Sequence, residues 1–255
     1  MAEDLIVLIG REGDSTNILY NALSASHAVQ VIHEEPPARR KLLRWRVKQV
    51  GLFRMCGQLL FQVTVVLPMR RLSAGRRLEI IRESGASTSA PPPGSTSRTP
   101  SVNSPGLLAQ LKELAPRLVV INGTRILTGR TLAAIGVPVL NVHAGITPKY
   151  RGVHGAYWAL VNHDRAHCGV TVHLVDAGVD TGGILHQGVI EPTARDNFTT
   201  YPLLQLALGS KLLVQAVDEV LSGRTNRIAG PVEDRRWYHP TLWAYIQHWI
   251  TRGVR

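Results

Sequence analysis

Three polar residues stand where an α/β chain puts its chemistry. The apolar run from Val137 to Val142 reads as a strand, and it ends in Asn141-Val142-His143. Side chains two apart on an extended segment point the same way, which sets an amide beside an imidazole. In an open α/β sheet, ligands collect beyond the carboxyl ends of strands, so this pair would border a crevice. An amide N–H can hold a developing oxyanion, and an imidazole can do the same or move a proton. Further on, Val179-Asp180-Thr181-Gly182-Gly183 puts a carboxylate in a glycine-rich loop between two strand-like runs. Asn141, His143 and Asp180 together suit attack of an amine on an activated acyl carbon.

Each of these residues also has a structural reading. An isolated Asn-x-His at a strand end more often closes a hydrogen-bonded turn, and it is the company of Asp180 that favours catalysis. Asp176 reads as a loop carboxylate, and His173 as a core or crevice-wall residue. His154, His163, His167, His173 and His186 crowd one stretch. His163, His167 and Cys168 could be grouped as ligands, but no further ligand follows at a recognisable spacing, so no metal is expected. The turn Gly10-Arg11-Glu12-Gly13-Asp14 resembles a phosphate cradle, yet its two acids oppose an anion. They would instead cap the following helix or recognise an amine.

The elements that must position these groups follow from periodicity. Leu5 to Gly10, a helix from Ser15 to Ala25 and a run from Ala28 to His33 make a βαβ opening. After residue 105 the pattern alternates again: helix near Leu107 to Leu114, strand Arg117 to Asn122, helix near Gly129 to Ile135, then the strand ending in Asn141 and His143. A helix near His154 to Asn162, strands at Gly169 to Val175 and Ile184 to Ile190, and a helix from about Thr199 to Leu221 complete the core. Such alternation predicts an α/β, Rossmann-like fold, a mostly parallel twisted sheet flanked by helices, in one domain over residues 1–255. Residues 36–84 interrupt it with basic, helix-period segments broken at Pro68. Residues 85–105, rich in Ser, Pro, Thr and Gly, read as a flexible linker. Pro240 to Thr251 reads as an amphipathic aromatic helix, and its Trp243, Tyr245 and Trp249 suit packing or a homodimer surface.

Composition sharpens this picture. The 255 residues carry a net charge of +11. Twelve basic residues and one acid, Glu79, lie between Arg39 and Arg82, and the rest of the chain is balanced. One basic segment on a neutral body points to a local attachment surface rather than to general nucleic-acid binding. Three roles stay open for it: a solvated helical pair on the body, a peripheral membrane contact through residues 39–82, or binding of an anionic acceptor. Gln58, Gln62 and the shortness of the apolar run argue against a bilayer span. Two distant cysteines, Cys56 and Cys168, and a start without a signal-like pattern imply a cytoplasmic protein.

The stretch from Val119 to Ile190 resembles the core of the folate-dependent formyltransferases, which include glycinamide ribonucleotide, methionyl-tRNA and sugar-nucleotide N-formyltransferases. Asn-x-His at a strand end, Pro148-Lys149-Tyr150-Arg151-Gly152, Gly169-Val170-Thr171-Val172-His173 and Val179-Asp180-Thr181-Gly182-Gly183 agree with that family in order and spacing. The resemblance implies that Asn141, His143 and Asp180 are catalytic. It implies 10-formyltetrahydrofolate as co-substrate, its pterin held mainly by backbone groups of Arg125, Ile126 and Leu127 and of the loop with Val175, Asp176, Gly178 and Val179. It also implies a cis Thr147-Pro148 bond. Where the family usually reads His-Pro-Ser-Leu-Leu-Pro, this chain reads His143-Ala144-Gly145-Ile146-Thr147-Pro148, so a serine is missing.

The expected reaction is formyl transfer to a primary amine of a small acceptor, most simply a nucleotide-linked amino sugar. The acidic turn counts against glycinamide ribonucleotide. The absence of a β-rich extension after the long helix counts against tRNA, and that of an N-terminal regulatory domain against a formyltetrahydrofolate hydrolase. A catalytically silent binding or membrane-tethering protein on the same scaffold is the competing reading.

Overall fold

Strands covered on both faces become nearly continuous apolar runs, and three such runs form the centre of this molecule. In the computed structural model, which describes residues 4–178, 182–224 and 236–255, β1 (Ile6–Gly10), β4 (Leu118–Asn122) and β5 (Val139–His143) lie side by side. With β2 (Val29–Glu34), β3 (Thr96–Thr99), β7 (Gly169–Leu174) and β8 (Ile184–Val189) they make a seven-stranded sheet ordered β3-β2-β1-β4-β5-β7-β8. The first five are parallel, whereas β7 runs against β5 and β8 against β7. The fold is thus the expected mostly parallel sheet flanked by helices, with an antiparallel pair at one edge.

Helices α1 (Asp14–Ser24) and α9 (Tyr201–Leu221) cover one face, burying Leu19, Leu23, Leu213 and Val217 against Leu8, Val120 and Leu140. Helices α6 (Pro105–Leu114) and α7 (Gly129–Ile135) cover the other through Leu107, Leu111 and Leu132. The strand order reverses between β1 and β4, where Gly10 pairs with Asn122 in register, so their carboxyl ends open the crevice where such sheets bind ligands.

Residues 36–84 form α2 (Arg39–Val50), α3 (Leu52–Phe61), α4 (Leu67–Leu72) and α5 (Ala74–Ser84). The expected break at Pro68 does not occur. Residues 62–66 take a π-helical turn, in which the Leu67 N–H reaches back to the Gln62 carbonyl, and one helix runs unbroken from Leu52 to Leu72. A proline cannot supply the usual bond to the preceding turn, and the wider π turn absorbs that loss. At 21 residues this helix is long and apolar enough to cross a membrane by length and composition, which corrects the expectation that the run is too short.

Residues 85–105, expected as a flexible linker, hold the sheet's edge strand β3. The side chains of Asn17 and Asn21 tie down the preceding stretch by donating to the carbonyls of Thr88, Ser87 and Ser89. Two short strands, β6 (Arg151–Gly152) and β9 (Arg236–Trp237), pair in parallel beside α8 (Gly155–Val161), and α10 (Leu242–Arg252) closes the chain.

Candidate active site

Strand β5 ends as the sequence requires, and β7 supplies what the sequence alone does not reveal. Antiparallel pairing sets Asn141 opposite His173 and His143 opposite Thr171. The Asn141 Nδ2 donates to His173 Nε2 at 3.2 Å, while His173 Nδ1–H donates to the Leu174 carbonyl at 2.8 Å. The carbonyl can only accept, so this tautomer follows from the partners and leaves Nε2 as the acceptor for the amide. His173 therefore orients Asn141, one of whose two amide protons has no acceptor among the described residues.

His143 is buried, with 6% of its surface exposed, and its Nε2 lies 2.8 Å from the Tyr150 carbonyl oxygen. By the same reasoning Nε2 carries a proton. The loop between these residues is clamped from β7 and β8. The Thr171 hydroxyl donates to the Gly145 carbonyl and accepts from the Thr147 amide, and Gln187 donates to the Thr147 carbonyl. The Thr147-Pro148 bond is cis, as the family resemblance implies.

The missing serine has a steric explanation. A Cβ at Gly145 would stand 2.3 Å from the Tyr150 carbonyl oxygen and 2.9 Å from His143 Nε2. A Cβ on Gly155 would in turn meet the Gly145 Cα at 2.5 Å. In this chain the loop is packed too tightly for any side chain there.

Tyr150 itself is fixed from several sides. Its ring stacks on Trp237, whose indole N–H donates to the Lys149 carbonyl, and its hydroxyl donates to Asp164 at 2.9 Å. Burial works to raise Asp164, but hydrogen bonds from Lys149, His167 and Tyr150 outweigh it and hold the carboxyl at about 2. Next to this loop His154 and His239 form a half-buried pair, Nε2 to Nδ1 at 2.9 Å. Burial first, then the neighbouring His239, pushes His154 down to about 3; burial and Arg46 push His239 to about 4. Both rings are neutral across the physiological range.

The expected pterin-binding segments are neighbours in space, since a Cβ on Gly129 would lie 3.9 Å from the Ala177 Cβ. Arg125 is committed elsewhere: its amide and guanidinium both bind Glu34, and the guanidinium also reaches the carbonyls of Pro100 and Glu35. The Ile126 carbonyl accepts from Asn103. Among the described residues nothing engages the amides of Ile126 and Leu127 or the Leu127 carbonyl. Leu127 is buried, and Ile126 is exposed beside it. Val175 anchors the facing loop through its amide to the Val139 carbonyl, and Asp176 accepts from the Gly178 amide. The loop closes where the Leu174 amide meets the Gly183 carbonyl, and Gly182 passes so near the Leu174 carbonyl that no side chain fits. Val179 and Asp180 lie outside the described residues.

Other readings resolve separately. Glu12 pairs with Arg98, and Asp14 lies 3.6 Å from Arg77, so both acids of the first turn are engaged. His163, His167 and Cys168 face different partners: Arg252, Asp164 and the Ala156 carbonyl. Among the described residues there is no group of three side chains suited to a metal. The roles of His173, Thr171 and Asp164 escaped sequence reasoning. The signal for the first two was their two-residue spacing on a strand facing Asn141 and His143.

A family model described as Formyl transferase matches residues 62–217. The chain is 33% identical over 128 residues to a methionyl-tRNA formyltransferase of Methylacidiphilum infernorum, covering 50% of this chain and 40% of that protein. It is also 33% identical over 135 residues to the methionyl-tRNA formyltransferase of Pelotomaculum thermopropionicum, covering 52% and 42%. It thus spans about two fifths of the length of these curated relatives. Among solved structures, a sugar N-formyltransferase from a Shewanella species superposes with a TM-score of 0.56 at 15% identity, covering 91% of this chain and 76% of that one. A phosphoribosylglycinamide formyltransferase from Anaplasma phagocytophilum gives 0.56 at 15%, covering 93% and 100%. At these identities the likeness is one of fold.

Proposed function

The chain belongs to the formyl transferase family, and from that premise we propose that it transfers the formyl group of 10-formyltetrahydrofolate to the primary amine of a small acceptor. The observation that carries this reading is the anchored pair on β5: Asn141 held by His173, and His143 held by Tyr150. A formamide carbon is a poor electrophile. The barrier falls when amine and carbon are held in attack geometry and the tetrahedral oxyanion meets prepositioned donors. The second amide proton of Asn141 is such a donor, fixed before the substrate arrives. His143, already protonated on Nε2, takes up and returns a proton at Nδ1 as the amine attacks and the folate nitrogen departs.

Asp180 completes the trio on the family pattern. It stands five residues after Val175, about 16 Å of extended chain, and β5 is about 13 Å long, so the loop is long enough to fold back to His143. A carboxylate there favours the imidazolium and helps relay protons. The free amides of Ile126 and Leu127, with the Leu127 carbonyl, suit a flat heterocycle that presents both donors and acceptors. Val175, Asp176 and Gly178 supply the facing wall, with Val179 joining them on the family pattern, whereas the Arg125 side chain is taken up by Glu34 and the carbonyls of Pro100 and Glu35.

For the acceptor we propose a nucleotide-linked amino sugar. Glu12 and Asp14 put two carboxylates on the first turn, which opposes the phosphate of glycinamide ribonucleotide. A second reading, methionyl-tRNA, draws on the names of the sequence relatives. Incubation with 10-formyltetrahydrofolate and a panel of amino-sugar nucleotides, glycinamide ribonucleotide and methionyl-tRNA, read by mass spectrometry for a formyl increment, tests both. Formylation of an amino sugar alone supports the first reading, and formylation of the tRNA alone replaces it. Loss of formyltetrahydrofolate with no amine modified would instead indicate a hydrolase.

A further inference from the structure

Helix Leu52–Leu72 has two unlike sides. Met55, Gly57, Gln58 and Phe61 face inward: Phe61 packs among Tyr245 and Phe198, and the Gln58 amide donates to the His239 carbonyl. Phe53, Leu60 and Leu67 recur every seventh residue on the opposite side, with Leu52 and Val63 beside them, and all are exposed. The stripe continues onto α10, where Trp243, Ile246, Trp249 and Ile250 are also exposed. The two helices join at Phe53, which stacks on Trp243 with ring centroids 4.6 Å apart. Gly57 lets that indole lie across the helix, since a Cβ there would stand 2.1 Å from its ring.

Cations border this apolar face. Arg76 and Arg77 of α5 are paired with Asp196, Glu79, Glu83 and Asp14. By contrast, among the described residues no ion pair engages Arg40, Arg44, Lys48, Arg54, Arg70 or Arg71, and all six are exposed.

We propose that α3, the π turn, α4 and the outer side of α10 form a docking surface for an anionic lipid bilayer, on which helix Leu52–Leu72 lies in the membrane plane. The geometry selects this over a span, because crossing the bilayer would pull Phe61 and Gln58 out of the folded body. The chemistry selects lipid over other partners. Nucleic-acid bases stack on aromatic rings but leave aliphatic side chains such as Leu60, Val63, Leu67, Ile246 and Ile250 uncovered, and a second copy would bring two strongly basic segments face to face. An acyl boundary with anionic headgroups satisfies both the apolar stripe and its basic border. This surface is independent of the acceptor's identity.

The test is co-sedimentation of the full chain with phosphatidylcholine vesicles, with and without phosphatidylglycerol. At about 0.1 M salt the chain should bind the anionic vesicles at least about tenfold better than the neutral ones, and about 1 M salt should release most of it. The double substitution Phe53→Asp, Leu60→Asp should weaken binding at least about tenfold while leaving the circular-dichroism spectrum unchanged. Arg70→Glu with Arg71→Glu, which leaves the apolar stripe intact, should weaken it in the same direction. Absence of binding at low salt, or equal binding to neutral vesicles, overturns the proposal. Association that survives both high salt and alkaline carbonate overturns it in favour of a span. A lipid-free dimer abolished by Phe53→Asp, Leu60→Asp assigns the face to a second copy instead.

Discussion

The neighbouring strands β5 and β7 and the basic helices α2 to α4 handle their polar groups in opposite ways. On and beside these strands four polar side chains are committed to named partners: Asn141 to His173, His143 to Tyr150, Thr171 to Gly145, Tyr150 to Asp164. On those helices Arg40, Arg44, Lys48, Arg54, Arg70 and Arg71 have no ion pair among the described residues, and Leu52, Leu60, Val63 and Leu67 stand exposed beside them. A self-sufficient polar network fixes geometry for chemistry inside the molecule, because each unmet buried partner would carry a desolvation cost. A surface with unmet apolar and cationic groups is completed only by something outside it. The difference separates a site that performs a reaction from a face that finds a location.

The strongest way to break this comparison is to remove the committed histidine. His143→Ala should lower turnover by about two to four orders of magnitude with its true acceptor, and Asp180→Asn should do so over a similar range. Folate affinity, measured by fluorescence titration, should be largely retained. A variant keeping more than about a tenth of wild-type turnover would remove that residue from the catalytic trio.

Second in size is Phe61, on the inward side of helix Leu52–Leu72. It is fully buried between Phe198 and Tyr245. Phe61→Ala should cost about 3–5 kcal/mol in urea unfolding, the range for an emptied aromatic core position. A much smaller loss would mean that the helix is not docked on the body.

These two residues also show which parts of the molecule were legible. Asn141 and His143 could be read because a strand repeats every two residues and its carboxyl end faces the crevice; that logic is local. Their supports were not local. Tyr150 finds Asp164 fourteen residues away and His154 finds His239 eighty-five residues away, so no spacing rule connects them. Strand β3 was missed for the same reason: Thr96-Ser97-Arg98-Thr99 has no apolar alternation, and it is held by β2 and by the stretch that Asn17 and Asn21 anchor. Pro68 misled in the other direction, since the rule that proline ends a helix gave way to a π turn. The direction of β7 was also hidden, because a strand's apolar pattern is the same whichever way it runs.

Gly145 sharpens the comparison at an intermediate scale. Backbone, rather than a yielding side chain, stands 2.3 Å from where a Cβ would be. Gly145→Ala should therefore cost about 1–3 kcal/mol of stability, as overpacking does, and should lower turnover by shifting the loop that holds His143. A fully active, equally stable variant would show that the loop can open without disturbing the histidine.

The half-buried pair His154 and His239 predicts a pH effect. Both folded-state values, about 3 and about 4, lie below the ordinary histidine value of about 6.5. The unfolded chain thus binds protons that the folded chain refuses. Stability from this pair is fully present above about pH 6.5 and is lost as pH falls from there toward about 3. The melting temperature should decline across that window, and His239→Gln should flatten the decline. A profile that stays level down to about pH 5 in the wild type would show that the pair is charged or solvated in the folded state.

The smallest expected effect is the most pointed test, because it concerns the residue next to Phe61. Leu60 is half exposed on the same helix, turned away from the body that buries its neighbour. If the outer face is unneeded for folding, Leu60→Gln should change unfolding free energy by no more than about 0.5 kcal/mol, as surface substitutions do. One step along the helix would then separate a core position from a solvent position. A loss above about 1 kcal/mol would show that Leu60 is covered in the isolated protein, and a concentration-dependent melting temperature would identify the cover as another copy of the chain. A null result on stability, set beside a measurable loss of vesicle binding, is the combination that a face built for an external partner requires.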